Sequence, residues 1–207
     1  MNRKRIYLCL AHMSGNEMKY IQDAFDTNWV VPLGPNVNGF EKDLESFVGQ
    51  DKKVVALSAG TAAVHLALLD CDVKAGDEVM VQSFTFCASS NPIKYLGAKP
   101  VFVDSEKETW NMDPQLLDQA IADRIEKTGK KPKAIIVVYL YGMPAKIDEI
   151  LQVANKYDIP LIEDAAEGLG SCYKEQVCGT FGRYGVLSFN GNKMITTSGG
   201  GALVCPE

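Results

Sequence analysis

Apolar positions along this chain keep two alternating rhythms. Short, nearly continuous apolar runs stand at KVVAL (53–57), EVMVQ (78–82), KPVFV (99–103), AIIVVY (134–139), PLIE (160–163), GVLSF (185–189) and GALVC (201–205). Runs of that kind suit strands of a parallel sheet covered on both faces. Between them the apolar residues recur at helical spacing: TAAVHLALL (61–69), then Leu116, Leu117, Ala120, Ile121 and Ile125, then Ile147, Ile150, Leu151 and Ala154. Asp113-Pro114 opens the second of these, with Asp as cap and Pro at the first helical position. The alternation predicts an α/β fold: a seven-stranded, mostly parallel sheet with helices on both faces. The link over 190–200 is short for a parallel crossover, so the last strand is expected to run antiparallel.

Residues 1–50 precede this alternation. Ser14-x-x-Glu17 has the form of a capping box, and Met18, Ile21 and Phe25 follow on one helical face. A loop over 27–38 (TNWVVPLGPNVN) leads to a second helix carrying Phe40, Leu44, Phe47 and Val48. The expected division is therefore 1–50 as N-terminal helices with a loop between them, and 51–207 as the sheet domain.

Composition narrows the function classes. The chain has 207 residues, 46% of them hydrophobic, and a net charge of −5. That is too apolar and too weakly charged for a disordered chain, and too acidic to offer an electrostatic footprint for nucleic acid. The longest apolar run, 134–140, falls far short of the ~20 residues a membrane helix needs. The start, MNRKRIYLCLA, is basic and then briefly apolar but reaches His12 before a signal core develops. A cytoplasmic protein is the expectation. Cysteines at 9, 71, 87, 172, 178 and 205 form no C-x-x-C pair, and the histidines are His12 and His65. Reduced thiols are expected here, and a zinc site is not.

Candidate chemistry sits at the carboxyl ends of predicted strands, where open α/β sheets bind ligands. Ser58-Ala59-Gly60-Thr61 is a strand-to-helix turn able to cradle a phosphate, or simply a tight turn with Thr as cap. Ser83-Phe84-Thr85-Phe86 could stack an aromatic on a planar ring, or place it in the core. Asp164 could face a cleft or cap the next helix. Lys193, between Ser188-Phe189-Asn190-Gly191-Asn192 and the Gly-rich 196–201 segment, could be a functional amine or a surface charge. No P-loop and no complete G-x-G-x-x-G occurs. Taken together these residues match one cofactor. Pyridoxal phosphate needs a lysine to bind it covalently, a carboxylate to keep its pyridine nitrogen protonated, a phosphate cradle and a ring to stack on.

With these residues in place, the sequence resembles the DegT/StrS-type sugar aminotransferases, which are fold-type I pyridoxal phosphate enzymes. The matching stretches are NWVVPLGPNVNGFE (28–41), SAGTAAVHLAL (58–68), GDEVMVQSFTFCASSNPIKYLGAKPVFVD (76–104), LYGMPAKID (140–148), IEDAAEGLGS (162–171) and GTFGRYGVLSFNGNKMITTSGGGALV (179–204). The resemblance implies a three-layer α/β/α, pyridoxal phosphate-binding large domain over 51–207, and makes the loop within 1–50 substrate-side. It implies Lys193 as the covalent lysine, Asp164 as partner of the pyridine nitrogen, and Gly60, Thr61 and Ser188 as phosphate ligands. It also implies Phe86 stacked on the ring and Glu167 near it, where family members commonly carry His or Gln. EDAAE with SFNGNK and TTSGGG is most similar to the subgroup that aminates UDP-linked 4-keto-6-deoxy N-acetylhexosamines, of the bacillosamine-pathway type. The implied reaction is ping-pong transfer from glutamate to C4 of a nucleotide-linked keto sugar, by a homodimer.

Relatives on this resemblance are much longer, so a small C-terminal domain is expected to be absent and the chain alone to turn over poorly. Three alternatives stand beside this reading. A pyridoxal phosphate-dependent sugar dehydratase would carry His in place of Lys193. A non-catalytic cofactor-binding or regulatory fragment is compatible with the length. A nucleotide-binding oxidoreductase lacks its glycine fingerprint.

Overall fold

A computed structural model describes residues 4–6 and 13–207. Cys9 and His12, weighed above as thiol and possible metal ligand, lie outside the described residues, as does the apolar part of the N-terminal run.

In chain order the elements are α1 (Glu17–Asp26), α2 (Pro35–Val48), β1 (Lys53–Leu57), α3 (Gly60–Asp70), β2 (Glu78–Gln82), α4 (Asn91–Tyr95), β3 (Lys99–Val103), α5 (Pro114–Thr128), β4 (Ala134–Val138), α6 (Ile147–Tyr157), β5 (Leu161–Asp164), β6 (Cys172–Tyr173), β7 (Gln176–Val177), β8 (Tyr184–Ser188) and β9 (Gly201–Cys205). Seven strands form one sheet in the order β1-β9-β8-β5-β4-β2-β3, with β6 and β7 as a separate hairpin that no apolar rhythm announced. β9 is antiparallel to both neighbours, as its short connection requires, and the pairs from β8 to β3 are parallel.

Alternation along the strands builds two cores. On one face Ile135 and Val137 of β4 pack with Leu44 and Val48 of α2, Leu117 and Ile121 of α5, and Ile147 and Ile150 of α6. On the other, Ala134 and Ile136 pack with Ala63, Val64, Ala67 and Leu68 of α3 and Ile93 of α4. Every residue of β4 is buried, which is why its sequence carries no polar alternation. The result is three layers, helices–sheet–helices.

Most boundaries follow the sequence rhythm. Asp113 caps α5 as expected, its carboxylate accepting from the amides of Gln115 (2.8 Å) and Leu116 (3.2 Å). β5 and β8 each sit one residue away from the expected run. The N-terminal segment departs further. The Glu17 carboxylate does reach back to the Ser14 amide at 2.6 Å, but Ser14 Oγ accepts from Asn16 and not from the helix, which begins at Glu17. Only half of the box forms. α1 buries none of its residues, and Met18 and Phe25 are exposed. The 27–38 loop ends early, because Pro35 starts α2 with its fixed φ at the first helical position. α2 is then tied to the sheet edge: Glu41 and Glu45 accept from the amides of Ala56 (2.9 Å) and Val54 (3.3 Å) in β1. No described helix is long and apolar enough to cross a membrane.

Candidate active site

Strand register brings the singled-out residues to one end of the sheet. Leu57 at the end of β1 pairs with Gly201, Gly201 pairs with Ser188, and Asp164 pairs with Val186 and Val138. The carboxyl ends of β1, β5 and β8 therefore lie side by side, flanking the start of the antiparallel β9.

The β1–α3 turn is held close to β8 and β9 by small residues. A Cβ on Gly60 would lie 3.0 Å from Ser188 Cβ and 3.4 Å from Ser188 Oγ. A Cβ on Gly201 would fall 2.2 Å from the Ala59 carbonyl carbon, inside the turn's own backbone. Ala59, and not Thr61, occupies the cap position of α3, and no side chain caps this helix. Its first amides are thus left for another acceptor, and the helix dipole adds a positive end there. Gly60 and Thr61 open this helix, and Ser188 at the end of β8 lies against Gly60.

Asp164 is buried at the end of β5. Its Oδ2 accepts from Ser89 Oγ at 2.6 Å and its Oδ1 from the Ala166 amide at 3.2 Å. Burial pushes its carboxyl above the ordinary range; Ser89, the Ala166 amide and the charge of Lys193 pull it back, while Glu167 pushes the same way as burial. Lys193 Nζ lies 3.3 Å from Glu167 Oε1, on a side chain mostly shielded from solvent. Glu167 Oε2 also accepts from the Tyr141 amide at 2.7 Å. Tyr141 has φ of 51°, an uncommon state for a side-chain-bearing residue. Asp164, Glu167 and Lys193 form one charged group.

Phe86 starts the short 3₁₀ turn Cys87–Ser89 and is 73% exposed, so the core reading of this ring does not hold. Among the described residues no aromatic ring pairs with it, whereas Phe84 lies 6.0 Å from Trp110. The loops behind this edge are pinned by Asn111, fully buried, which accepts from the Leu140 amide (2.9 Å) and donates to the Met143 carbonyl (2.8 Å). Ser89 and Asn111 escaped sequence reasoning. Both are common polar residues whose partners lie far along the chain, and no local spacing marks them. Two surface hollows, one between α5 and α6 and one beside Leu161 at the amino end of β5, lie away from this group.

The family model for DegT/DnrJ/EryC1/StrS aminotransferases matches residues 11–207. The chain belongs to that family. EpsN of Bacillus subtilis (strain 168), whose name assigns it provisionally to the pyridoxal phosphate-dependent aminotransferases, is 56% identical over 97% of this chain and 51% of its own length. GDP-perosamine synthase of Escherichia coli O157:H7 is 41% identical over 93% of this chain and 50% of its own. The PLP-form of Spr1654 from Streptococcus pneumoniae, provisionally described as a sugar aminotransferase, superposes with a TM-score of 0.86 at 31% identity, covering 99% of this chain and 54% of that one. The chain thus spans about half the length of the relatives it matches. DegT-family aminotransferases depend on pyridoxal phosphate. The residues present fit that group: an uncapped helix start beside a hydroxyl, a glycine whose Cβ would crowd that hydroxyl, a buried carboxylate, an exposed phenyl ring and a shielded amine.

Proposed function

We propose that this chain holds pyridoxal 5′-phosphate at the carboxyl end of its sheet and serves amino transfer from glutamate to C4 of a nucleotide-linked 4-keto-6-deoxy sugar. The observation that carries this reading is the convergence of Lys193, Asp164 and the Gly60–Thr61–Ser188 cradle on neighbouring strand ends. When bound, the cofactor supplies an aldehyde that takes up amines and a ring that draws electrons from the reacting carbon.

The protein's own residues would do the rest. The Gly60 and Thr61 amides and the Ser188 hydroxyl would bind the phosphate. Asp164 would hold the proton on the pyridine nitrogen. Phe86 would stack on the ring. Lys193 would anchor the cofactor and, once released, carry a proton to and from the substrate carbon. Glu167 keeps the Lys193 amine in place and fixes the Tyr141 peptide beside it. Sequence similarity in the EDAAE and SFNGNK motifs supports a UDP-linked N-acetylhexosamine as substrate, in surface-glycan biosynthesis. A cytoplasmic homodimer is part of the same reading. Since the relatives are about twice as long, the chain by itself is proposed to bind the cofactor but to turn over poorly.

Absorbance with added pyridoxal 5′-phosphate, before and after borohydride, tests the assignment. The wild-type chain should give a fixed adduct mapped to Lys193, and Lys193→Ala should give none at this site. An adduct persisting there in Lys193→Ala overturns it. Parallel assays with UDP- and GDP-linked 4-keto-6-deoxy sugars separate the proposed substrate from one carrying the nucleotide of the GDP-perosamine synthase relative.

A further inference from the structure

Asp164 is not held by its own strand alone. Ser89, buried on the 3₁₀ turn after β2, is separated from it by 75 positions in sequence, yet its hydroxyl donates to Asp164 Oδ2 at 2.6 Å. Thr85 Oγ1 lies 2.8 Å from the same Ser89 hydroxyl. The Ser89 amide in turn donates to the Phe86 carbonyl at 3.1 Å. A serine hydroxyl has a single proton to give. With that proton on a carboxylate, Ser89 must accept from Thr85, so the chain of donors runs Thr85 to Ser89 to Asp164. If Asp164 is protonated the direction can reverse, Asp164 donating to Ser89 and Ser89 to Thr85. The relay therefore follows the ionisation of one carboxylate.

We infer that Ser89, backed by Thr85, is a positioning residue that orients the Asp164 carboxylate, keeps it ionised, and sets Phe86 in register with it. Three observations support this. The bond is short and donated to an ionisable group, the class of hydrogen bond that is strongest. Ser89 is 1% exposed, so water does not replace the bond when it is lost. The same residue fixes the backbone of Phe86 through its amide, so the proposed partner of the pyridine nitrogen and the proposed stacking ring share one support. Asp164 otherwise accepts only the Ala166 amide among the described residues, and that bond, from its own strand end, does not fix the second oxygen.

This inference rests on the proposed role of Asp164, so the test separates the two. Carboxyl ¹³C chemical shifts of the cofactor-free 207-residue chain, followed against pH, report the Asp164 titration, with Asp164→Asn as the assignment control. Equilibrium binding of pyridoxal 5′-phosphate is measured by fluorescence on the same proteins. Ser89→Ala should move the Asp164 midpoint upward and weaken cofactor binding about tenfold. Thr85→Val should move the midpoint the same way by less, and Thr85→Ser, which keeps the hydroxyl, should restore it.

An Asp164 midpoint unmoved in both Ser89→Ala and Thr85→Val overturns the relay. Should Ser89→Ala fail to fold, the Thr85 pair decides alone. If Asp164→Asn binds pyridoxal 5′-phosphate as well as wild type, the proposed role of Asp164 fails, whatever the titrations show. If Asp164→Asn binds weakly while the Ser89 and Thr85 variants behave as wild type, only the relay fails.

Discussion

Glu163 and Asp164 are adjacent carboxylates at the end of one buried strand, and they do different work. Successive strand residues face opposite sides of the sheet. Glu163 turns to the side of α5 and α6, where its carboxylate accepts from the Tyr139 hydroxyl, from the Gly179 amide at 2.8 Å and from the Gly182 amide. Asp164 turns to the side of α3 and α4 and meets Ser89. Burial raises both carboxyls above their ordinary range. The difference lies in what surrounds them. Glu163 is saturated by groups that belong to the fold: it staples the 178–182 loop and Tyr139 onto β5, and the neighbouring Cys178 thiol is pushed up to about 12 by burial and then by its charge. Asp164 keeps acceptor capacity that the fold does not use and shares its space with Lys193 and Glu167. Burial and a displaced pKa mark both residues; spare hydrogen-bonding capacity beside other charges marks only Asp164.

The sharpest way to break this contrast is at Glu163. Glu163→Ala strands three buried donors and should lower unfolding free energy by about 3 kcal/mol in urea melts, a large share of a domain's stability. A change below about 1 kcal/mol would show that the latch is dispensable. The reciprocal change, Asp164→Asn, should leave unfolding within about 1 kcal/mol of wild type while weakening pyridoxal 5′-phosphate binding about 30-fold. Equal losses in both readouts would erase the distinction between the two carboxylates.

A smaller effect is expected from pH. An acid whose folded pKa is raised takes up its proton more readily in the folded chain than in the unfolded one. Its contribution to stability is therefore whole below the ordinary carboxylate pKa and is lost as pH climbs through the raised value. Wild type should lose stability across that window more steeply than Asp164→Asn, as read from urea melts at stepped pH. Parallel curves would refute it. The smallest effect is at the cradle. In Gly60→Ala the better helix propensity of alanine offsets crowding against Ser188, so stability should change by less than about 1 kcal/mol. Cofactor binding should weaken about fivefold in direct titration, and unchanged binding would remove Gly60 from the cradle.

Much of this was legible without coordinates. Asp113-Pro114 announces the start of α5 because cap and N1 chemistry are local. The β1–α3 turn, the strand-end acid and the β8 serine could be read because each sits at the junction of a strand run with small or polar residues. Local signals failed where they lacked tertiary support. Ser14 and Glu17 spell a capping box, yet one half goes to a turn outside the helix. Trp29 to Leu33 read only as loop, and the close approach of Trp29 to Gly34 that shapes its end was hidden. Glu163 and Asp164 look equivalent in EDAAE.

By itself, then, the sequence determined the seven strands, their alternation with helices, the antiparallel course of the last one and the residue types available for the cofactor. These follow from side-chain period, capping and connection length, all of which act within a few residues along the chain. Only the tertiary structure decided which carboxylate the fold saturates and which keeps spare acceptor capacity, that Ser89 donates to Asp164, and that Phe86 stays exposed. Those depend on contacts between residues far apart in sequence, such as Ser89 with Asp164 and Tyr139 with Glu163, that form when the strands take their order in the sheet.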